Sequence, residues 1–325
     1  LTRHAGIALF TAAVVSLLPA CAARQTAEPP SMVFENAHSG GSTVAFSHSG
    51  DVLASGGWEG GLRLWHTARQ RQVAGWKAHD SSVNGIGFTA DDRYIITAGY
   101  DGVLAEWDRG GGLSRQRSTP SPVMHMVVHA ASGRIFTGHA DGSVRIWRLS
   151  DFSLLQTREL HGGVVKAVAI DPVRQLYASS GADGGVYVFD ESGPARQLES
   201  PPLDAWTLAF SPDGQSLYGG SWFRLFRWQV SDGVLESLPT RHHGIIRSIQ
   251  FVNGGNELAT ISRQTDRSVY FLDPQSGEVT RKFRQHELCG AAVAVSVDGR
   301  YLGTTSDDAS VRIYDLGQAA GSNGP

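Results

Sequence analysis

From residue 31 onward, apolar and polar side chains alternate in short runs divided by breaks that contain glycine or aspartate. Strict alternation places every second side chain on one face of a strand. Residues 83–88 (VNGIGF), 94–97 (YIIT) and 103–107 (VLAEW) form three such runs, separated by turns at Asp91-Asp92 and Asp101-Gly102. Aspartate followed by glycine favours a tight hairpin, because glycine adopts positive φ without steric cost. The same dipeptide recurs at Asp141-Gly142 and Asp183-Gly184.

The runs repeat at long range. Strand-like endings stand at 62–66 (LRLWH), 104–108 (LAEWD), 144–148 (VRIWR), 186–190 (VYVFD), 225–229 (LFRWQ), 269–273 (VYFLD) and 311–315 (VRIYD). Their aligned aromatic or apolar positions are Trp65, Trp107, Trp147, Phe189, Trp228, Leu272 and Tyr314, spaced by 42, 40, 42, 39, 44 and 42 residues. Seven units with a period in the low forties predict a propeller or a solenoid rather than two ordinary domains. A further strand follows each ending, as at 71–77 after the first, which gives four strands per unit.

The period, the paired His and Trp-Asp signals, and elements such as Phe46-Ser47-His48-Ser49-Gly50 resemble the WD-repeat β-propellers. The resemblance implies an all-β, seven-bladed propeller over residues 31–316, with four antiparallel strands per blade. It also implies a buried tetrad of His, Ser/Thr, Asp and Trp in each blade. Unit two carries all four as His79, Thr97, Asp101 and Trp107. Trp only donates, a carboxylate only accepts, and His and Thr mediate, so the four can satisfy one another while buried.

Other units keep fragments. Unit one has His38, Ser55 and Trp65 with Glu59 in the Asp position; unit three has Thr137, Asp141 and Trp147, with Thr119 where His belongs. Unit four has His161, Ser179, Asp183 and Phe189, and unit seven has His286, Thr304, Asp308 and Tyr314. Unit six has His242, Thr260, Asp266 and Leu272 with two extra residues in its turn, whereas unit five has Pro201 and Trp222 at the His and Asp positions. The last unit lacks a fourth strand, and the spare strand at 31–36 (SMVFEN) is expected to supply it and close the ring.

The first twenty residues read differently. After Arg3 and His4, residues 5–18 are apolar and uncharged, the layout of a secretory signal peptide. Leu18-Pro19-Ala20-Cys21 resembles the lipobox of bacterial lipoproteins, although Pro19 departs from the small or aliphatic residue usual there. That resemblance implies lipidation of Cys21, a polar tether over 21–30, and a cell-envelope protein anchored in the outer membrane facing the periplasm. Two readings stay open beside it: ordinary cleavage at Ala20-Cys21-Ala22, releasing a soluble periplasmic protein, and an uncleaved anchor. Residues 317–325 are expected as a flexible tail. With Cys21 committed to lipid, only Cys289 remains, expected as a buried, inert thiol.

Composition narrows the chemistry. Glycine is 39 of 325 residues, well above the usual level of about 7% and in keeping with many turns. Only three basic residues are lysine (Lys77, Lys166, Lys282), a bias expected of a GC-rich bacterial genome. Net charge is −3, with no basic surplus to neutralise a phosphate backbone, so no nucleic-acid partner is expected. The sequence has no P-loop, nucleophile elbow or HExxH motif. No catalytic residue, cofactor or metal is therefore expected. Of the twelve histidines, five fall at tetrad positions; His125 and His129 share a strand face, but Met124 and Met126 point to the other, which breaks a metal ligand set.

The expected function is a non-catalytic scaffold, monomeric, that presents one propeller face to a protein or peptide. By the family's layout, turns between strands two and three and the starts of strand one share that face. Turn residues there are Trp58, Tyr100 and Trp222, and strand-start residues include Asn84, Met124, Lys166, Trp206 and Arg247. Trp, Tyr and Arg are the side chains most enriched at interface hot spots. Trp206 and Trp222 alternatively fill space left by the missing tetrad of unit five. Two alternatives of function stand: a periplasmic enzyme or cofactor-binding propeller with a central-channel site, and a cytoplasmic scaffold should the N-terminal segment not be a signal.

Overall fold

The computed structural model describes residues 27–318 except 172 and 265; the segment expected as a signal peptide, Cys21 and residues 319–325 lie outside the described residues. Seven four-stranded antiparallel sheets follow one another along the chain as seven blades. The innermost strand of each blade neighbours that of the next, and blade seven returns to blade one. The helical elements among the described residues are three short 3-10 turns. The expected all-β seven-bladed architecture is the one found.

Glycine sits where inner strands crowd together. A Cβ on Gly85 or Gly87 of blade two would stand 2.4 Å from Met126 and 2.5 Å from Val128 of blade three. The Asp-Gly turns take the left-handed backbone, with φ of 74° at Gly102 and 83° at Gly142. Apolar faces meet between blades rather than at one centre. Phe136 and Ile146 pack on Tyr177 and Phe189 between blades three and four, and Val186 and Ala178 on Leu217, Phe226 and Trp228 between four and five.

Closure comes from the N-terminal side. Met32–Phe34 pairs antiparallel with Val311–Asp315 in the register Met32↔Ile313 and Phe34↔Val311, completing blade seven. Ser31 Oγ donates to the Ile313 carbonyl at 2.9 Å. The end of the segment expected as a tether is held: Glu28 bonds both sides of Phe283 through the Lys282 carbonyl and the Arg284 amide, each at 2.8 Å. Its carboxylate takes a two-pronged contact from Arg281 at 2.7 and 2.8 Å.

In blade two, Trp107 Nε1 donates to Thr97 Oγ1 at 2.9 Å, Thr97 meets His79 Nε2 at 2.7 Å, and His79 Nδ1 meets Asp101 at 3.0 Å. A continuous chain has Thr97 donating to Nε2 and Nδ1–H donating to Asp101. Blade one uses the longer Glu59, with His38 at 2.9 Å from it and 2.8 Å from Ser55. The His–hydroxyl and His–carboxylate contacts also form in blades four, six and seven, although Phe189, Leu272 and Tyr314 replace the tryptophan.

Blades three and five lack a histidine in the loop before the first strand. In blade three Thr119 stands in the histidine's place, its N–H donating to the Gly102 carbonyl as that of His79 does to Gly60, but its hydroxyl turns to the Gly102 and Ser121 carbonyls at 3.0 and 2.7 Å. His139, fully buried at the end of the second strand (Arg134–His139), takes over the histidine's role. Its Nε2 lies 2.7 Å from Thr137 Oγ1, which also accepts from Trp147 at 2.8 Å, and its Nδ1 donates to the Ser121 carbonyl at 3.0 Å. Residues 137 and 139 share a strand face, so the ring reaches the hydroxyl from its own strand. In blade five Trp228 donates instead to the Glu199 carbonyl at 2.8 Å, and the buried Tyr218 hydroxyl to Pro274 at 3.1 Å.

Candidate functional site: the channel mouth

Within each blade the first strand runs antiparallel to the second, so the start of one pairs with the end of the other, as Val165 with Gly181 and Ile245 with Arg263. Lys166, Trp206 and Arg247, at or next to first-strand starts, therefore share one rim with Trp58, Tyr100 and Trp222, which follow second strands. Trp58 and Tyr100 are exposed, at 44% and 48%, and Trp222 is half-buried with its ring 5.5 Å from the exposed Phe223.

Three of these six candidates meet. Lys166 Nζ lies 4.0 Å from the Trp206 ring centroid and the Arg247 guanidinium carbon 5.3 Å from it. Blades four, five and six thus bring an aromatic plane against two cations at one register. The Trp206 backbone N–H donates to the Gly220 carbonyl at 2.7 Å. Trp58 stands apart, with Arg263 5.7 Å from its ring and its indole packed over Gly40.

The seven inner strands enclose a cavity of about 650 Å³. Ser42, Asn84, His125, Lys166, Trp206 and Arg247 line its rim side, whereas Ile86, Val168, Leu208, Ile249 and Phe210 line it farther along those strands. Its electrostatics are one-sided. Burial, followed by the charge of Arg247, lowers His125 to about 4, so its imidazole is neutral at pH 7 and its Nδ1 accepts the Val168 N–H at 3.3 Å. Burial lowers Arg247 to about 10, with nearby Arg263 adding to it, yet the guanidinium stays charged at neutral pH. Lys166 is paired with Asp204, and Arg263 with Asp307 at 2.9 Å.

Asp204, Arg263 and Asp307 escaped sequence reasoning, because acidic and basic residues in turns have a sufficient local explanation. Their signal was positional: each lies within three residues of a first-strand start or second-strand end. Cys289, expected to be buried, is half-buried instead. It follows an exposed stretch, Glu287-Leu288, just before the first strand of blade seven, and its carbonyl accepts the Asp307 N–H at 2.9 Å. Among the described residues no three His, Cys, Asp or Glu side chains are placed to hold a metal ion, and His129 bonds Ser132 at 2.7 Å. Among the same residues no helix is long and apolar enough to cross a membrane.

Comparison with known proteins agrees with the geometry. The family described as WD domain, G-beta repeat matches residues 30–66, 70–108, 114–148, 152–190 and 277–315. The unmatched stretch holds blades five and six, where the tetrad is replaced and where the turn is lengthened. The chain is 24% identical to human striatin-4 over 275 residues, 74% of this chain and 36% of that protein. It is 28% identical to an Arabidopsis thaliana pre-mRNA-processing factor 19 homolog over 68% of this chain and 42% of that one, and 23% identical to protein HIR1 of Eremothecium gossypii over 68% and 30%. It thus spans well under half the length of these relatives. With five repeats matched over more than half of its length and all seven blades formed, the chain belongs to the WD domain, G-beta repeat family.

Proposed function

We propose that this protein is a non-catalytic platform of the bacterial cell envelope, which presents the rim of its propeller to a protein or peptide. In this reading Cys21 carries the lipid, residues 1–20 are the signal peptide, and the ring stands as a monomer on the periplasmic side of the outer membrane. The observation that carries the reading is Trp206 held between Lys166 and Arg247 at the channel mouth, in the blade whose tetrad is replaced. Exposed Trp58, Tyr100 and Phe223 widen that face. Such aromatic and cationic side chains, already ordered, lose little entropy when a partner arrives.

The 650 Å³ channel favours a second reading, in which the propeller holds a small molecule at its centre. One experiment separates the two. Cross-linking in intact cells, capture of the protein and mass spectrometry would be run on the native chain and on the Trp206→Ala/Trp222→Ala variant, after checking that the variant melts as the parent does. One envelope protein enriched with the native chain and lost with the variant supports the platform. Equal recovery from both chains, or no enrichment, overturns it. Loss of lipid labelling in Cys21→Ser tests the anchor, and unchanged labelling overturns it.

A further inference from the structure

The channel mouth carries one charge too many. Of its three fixed cations, Lys166 is neutralised by Asp204 and Arg263 by Asp307. Among the described residues Arg247 has neither a hydrogen bond nor an ion pair, and its buried Nε has no partner. Asp307 does not complete it: the carboxylate is taken up by Arg263, and its buried Oδ1 is likewise left without a partner. Among the described residues no aspartate or glutamate lines the cavity, and His125, which also lines it, is neutral at pH 7. Arg247 is half-buried and lines the channel. The group that such a guanidinium, with its buried Nε unpartnered, suits best is a planar anion that accepts two parallel N–H bonds.

We infer that the channel mouth binds a carboxylate, with Arg247 as its partner and the Trp206 ring as the wall beside it. The inference rests on the platform reading and names the chemistry of what enters there. One uncompensated positive charge matches one negative charge, which selects a carboxylate over a phosphate bearing nearly two. Behind the rim, Ile86, Val168, Leu208 and Ile249 offer an apolar lining, so the favoured ligand carries a short apolar group next to its carboxylate. A peptide's C-terminal carboxylate with an aliphatic last residue has that form, and so does a free short-chain acid.

The test uses the purified full chain and follows tryptophan fluorescence and melting temperature during titration. The probes are sodium hexanoate, hexanamide, inorganic phosphate, and N-acetyl-Gly-Leu with a free or an amidated C-terminus. Hexanoate and the free-acid peptide should bind and raise the melting temperature, as a ligand of the folded state does, whereas hexanamide and the amidated peptide should not. Arg247→Met should weaken carboxylate binding by about tenfold or more, and Arg247→Lys should retain part of it. Equal binding of acid and amide, tighter binding of phosphate, or an Arg247→Met chain that binds like the parent overturns the inference. Should that substitution prevent folding, the acid–amide and phosphate comparisons on the parent chain decide alone. The peptide acid binding more tightly than hexanoate supports both this inference and the platform; hexanoate binding without the peptide keeps the carboxylate site and removes the platform.

Discussion

Phe34, on the strand that closes blade seven, stacks on Trp65 of blade one with ring centroids 4.1 Å apart. The contact joins the N-terminal side of the propeller to the first blade, while the backbone of the same strand pairs with Val311–Asp315. Closure and packing are therefore one event. Phe34→Ala should cost about 2 kcal/mol, below the 3–5 kcal/mol of a fully buried phenylalanine because Phe34 is half-buried. Deleting residues 31–36 should lower the melting temperature further, since it also exposes a strand edge. A melt unchanged by the deletion would refute this closure.

In blade two one hydroxyl serves two buried rings. Thr97 Oγ1 accepts from Trp107 and meets His79, so Thr97→Val keeps the shape and removes both contacts. Leaving an indole N–H and an imidazole nitrogen without partners should cost about 2–4 kcal/mol. Chemical denaturation should show a lower midpoint with an unchanged slope. A loss below about 0.5 kcal/mol would mean that packing alone holds this blade.

The seven blades were legible because fragments of one pattern recur at a period in the low forties: an Asp-Gly hairpin in units two, three and four, and in five units a buried hydroxyl followed ten residues later by an aromatic. Blade three shows the limit. A histidine was sought in the loop before the first strand, but His139 reaches Thr137 from two residues along the same strand. The spacing Thr137-Gly138-His139 held the signal, although a loop-based pattern does not look there. Lys166, Trp206 and Arg247 were legible one by one as rim residues. That they meet around one ring follows from equal register in three successive blades, whereas the excess of charge appears only once Asp204 and Asp307 are seen to be occupied.

Stability should fall as the pH drops below neutrality. Burial lowers His125 and His139 to about 4, with Arg247 and Arg145 adding to the shift, and burial also lowers His161 and His286. An unfolded histidine titrates near 6.5, so between that pH and the folded values the unfolded chain binds more protons. The histidine contribution is complete above about pH 6.5 and is lost on descending toward 4. Burial pushes the Asp101 and Asp183 carboxyls up, but hydrogen bonds from His79, His161 and backbone amides outweigh it and hold both below their usual value. Their contribution is present above about pH 4 and is lost only below it. Melting temperatures should be level from pH 8 to 7, fall from 6.5 and fall faster below 4. A level profile between pH 7 and 5 contradicts the assignment of neutral buried histidines.

The unpaired guanidinium should be a burden on the folded state. Replacing Arg247 by Met keeps an unbranched apolar stem, relieves repulsion with Arg263 and removes a half-buried charge. It also removes a contact with Trp206, worth about 0.5–2 kcal/mol. Desolvation of an isolated charge costs several kcal/mol even after relaxation, so the balance favours the variant. We expect Arg247→Met to stabilise by about 1 kcal/mol and to raise the melting temperature by about 2 °C. The comparison with Lys166→Met fixes the cause, because that substitution strips Asp204 of its partner and should destabilise instead. If Arg247→Met melted several degrees lower, the guanidinium would be holding blades five and six together, and its lack of a partner would no longer point to a ligand.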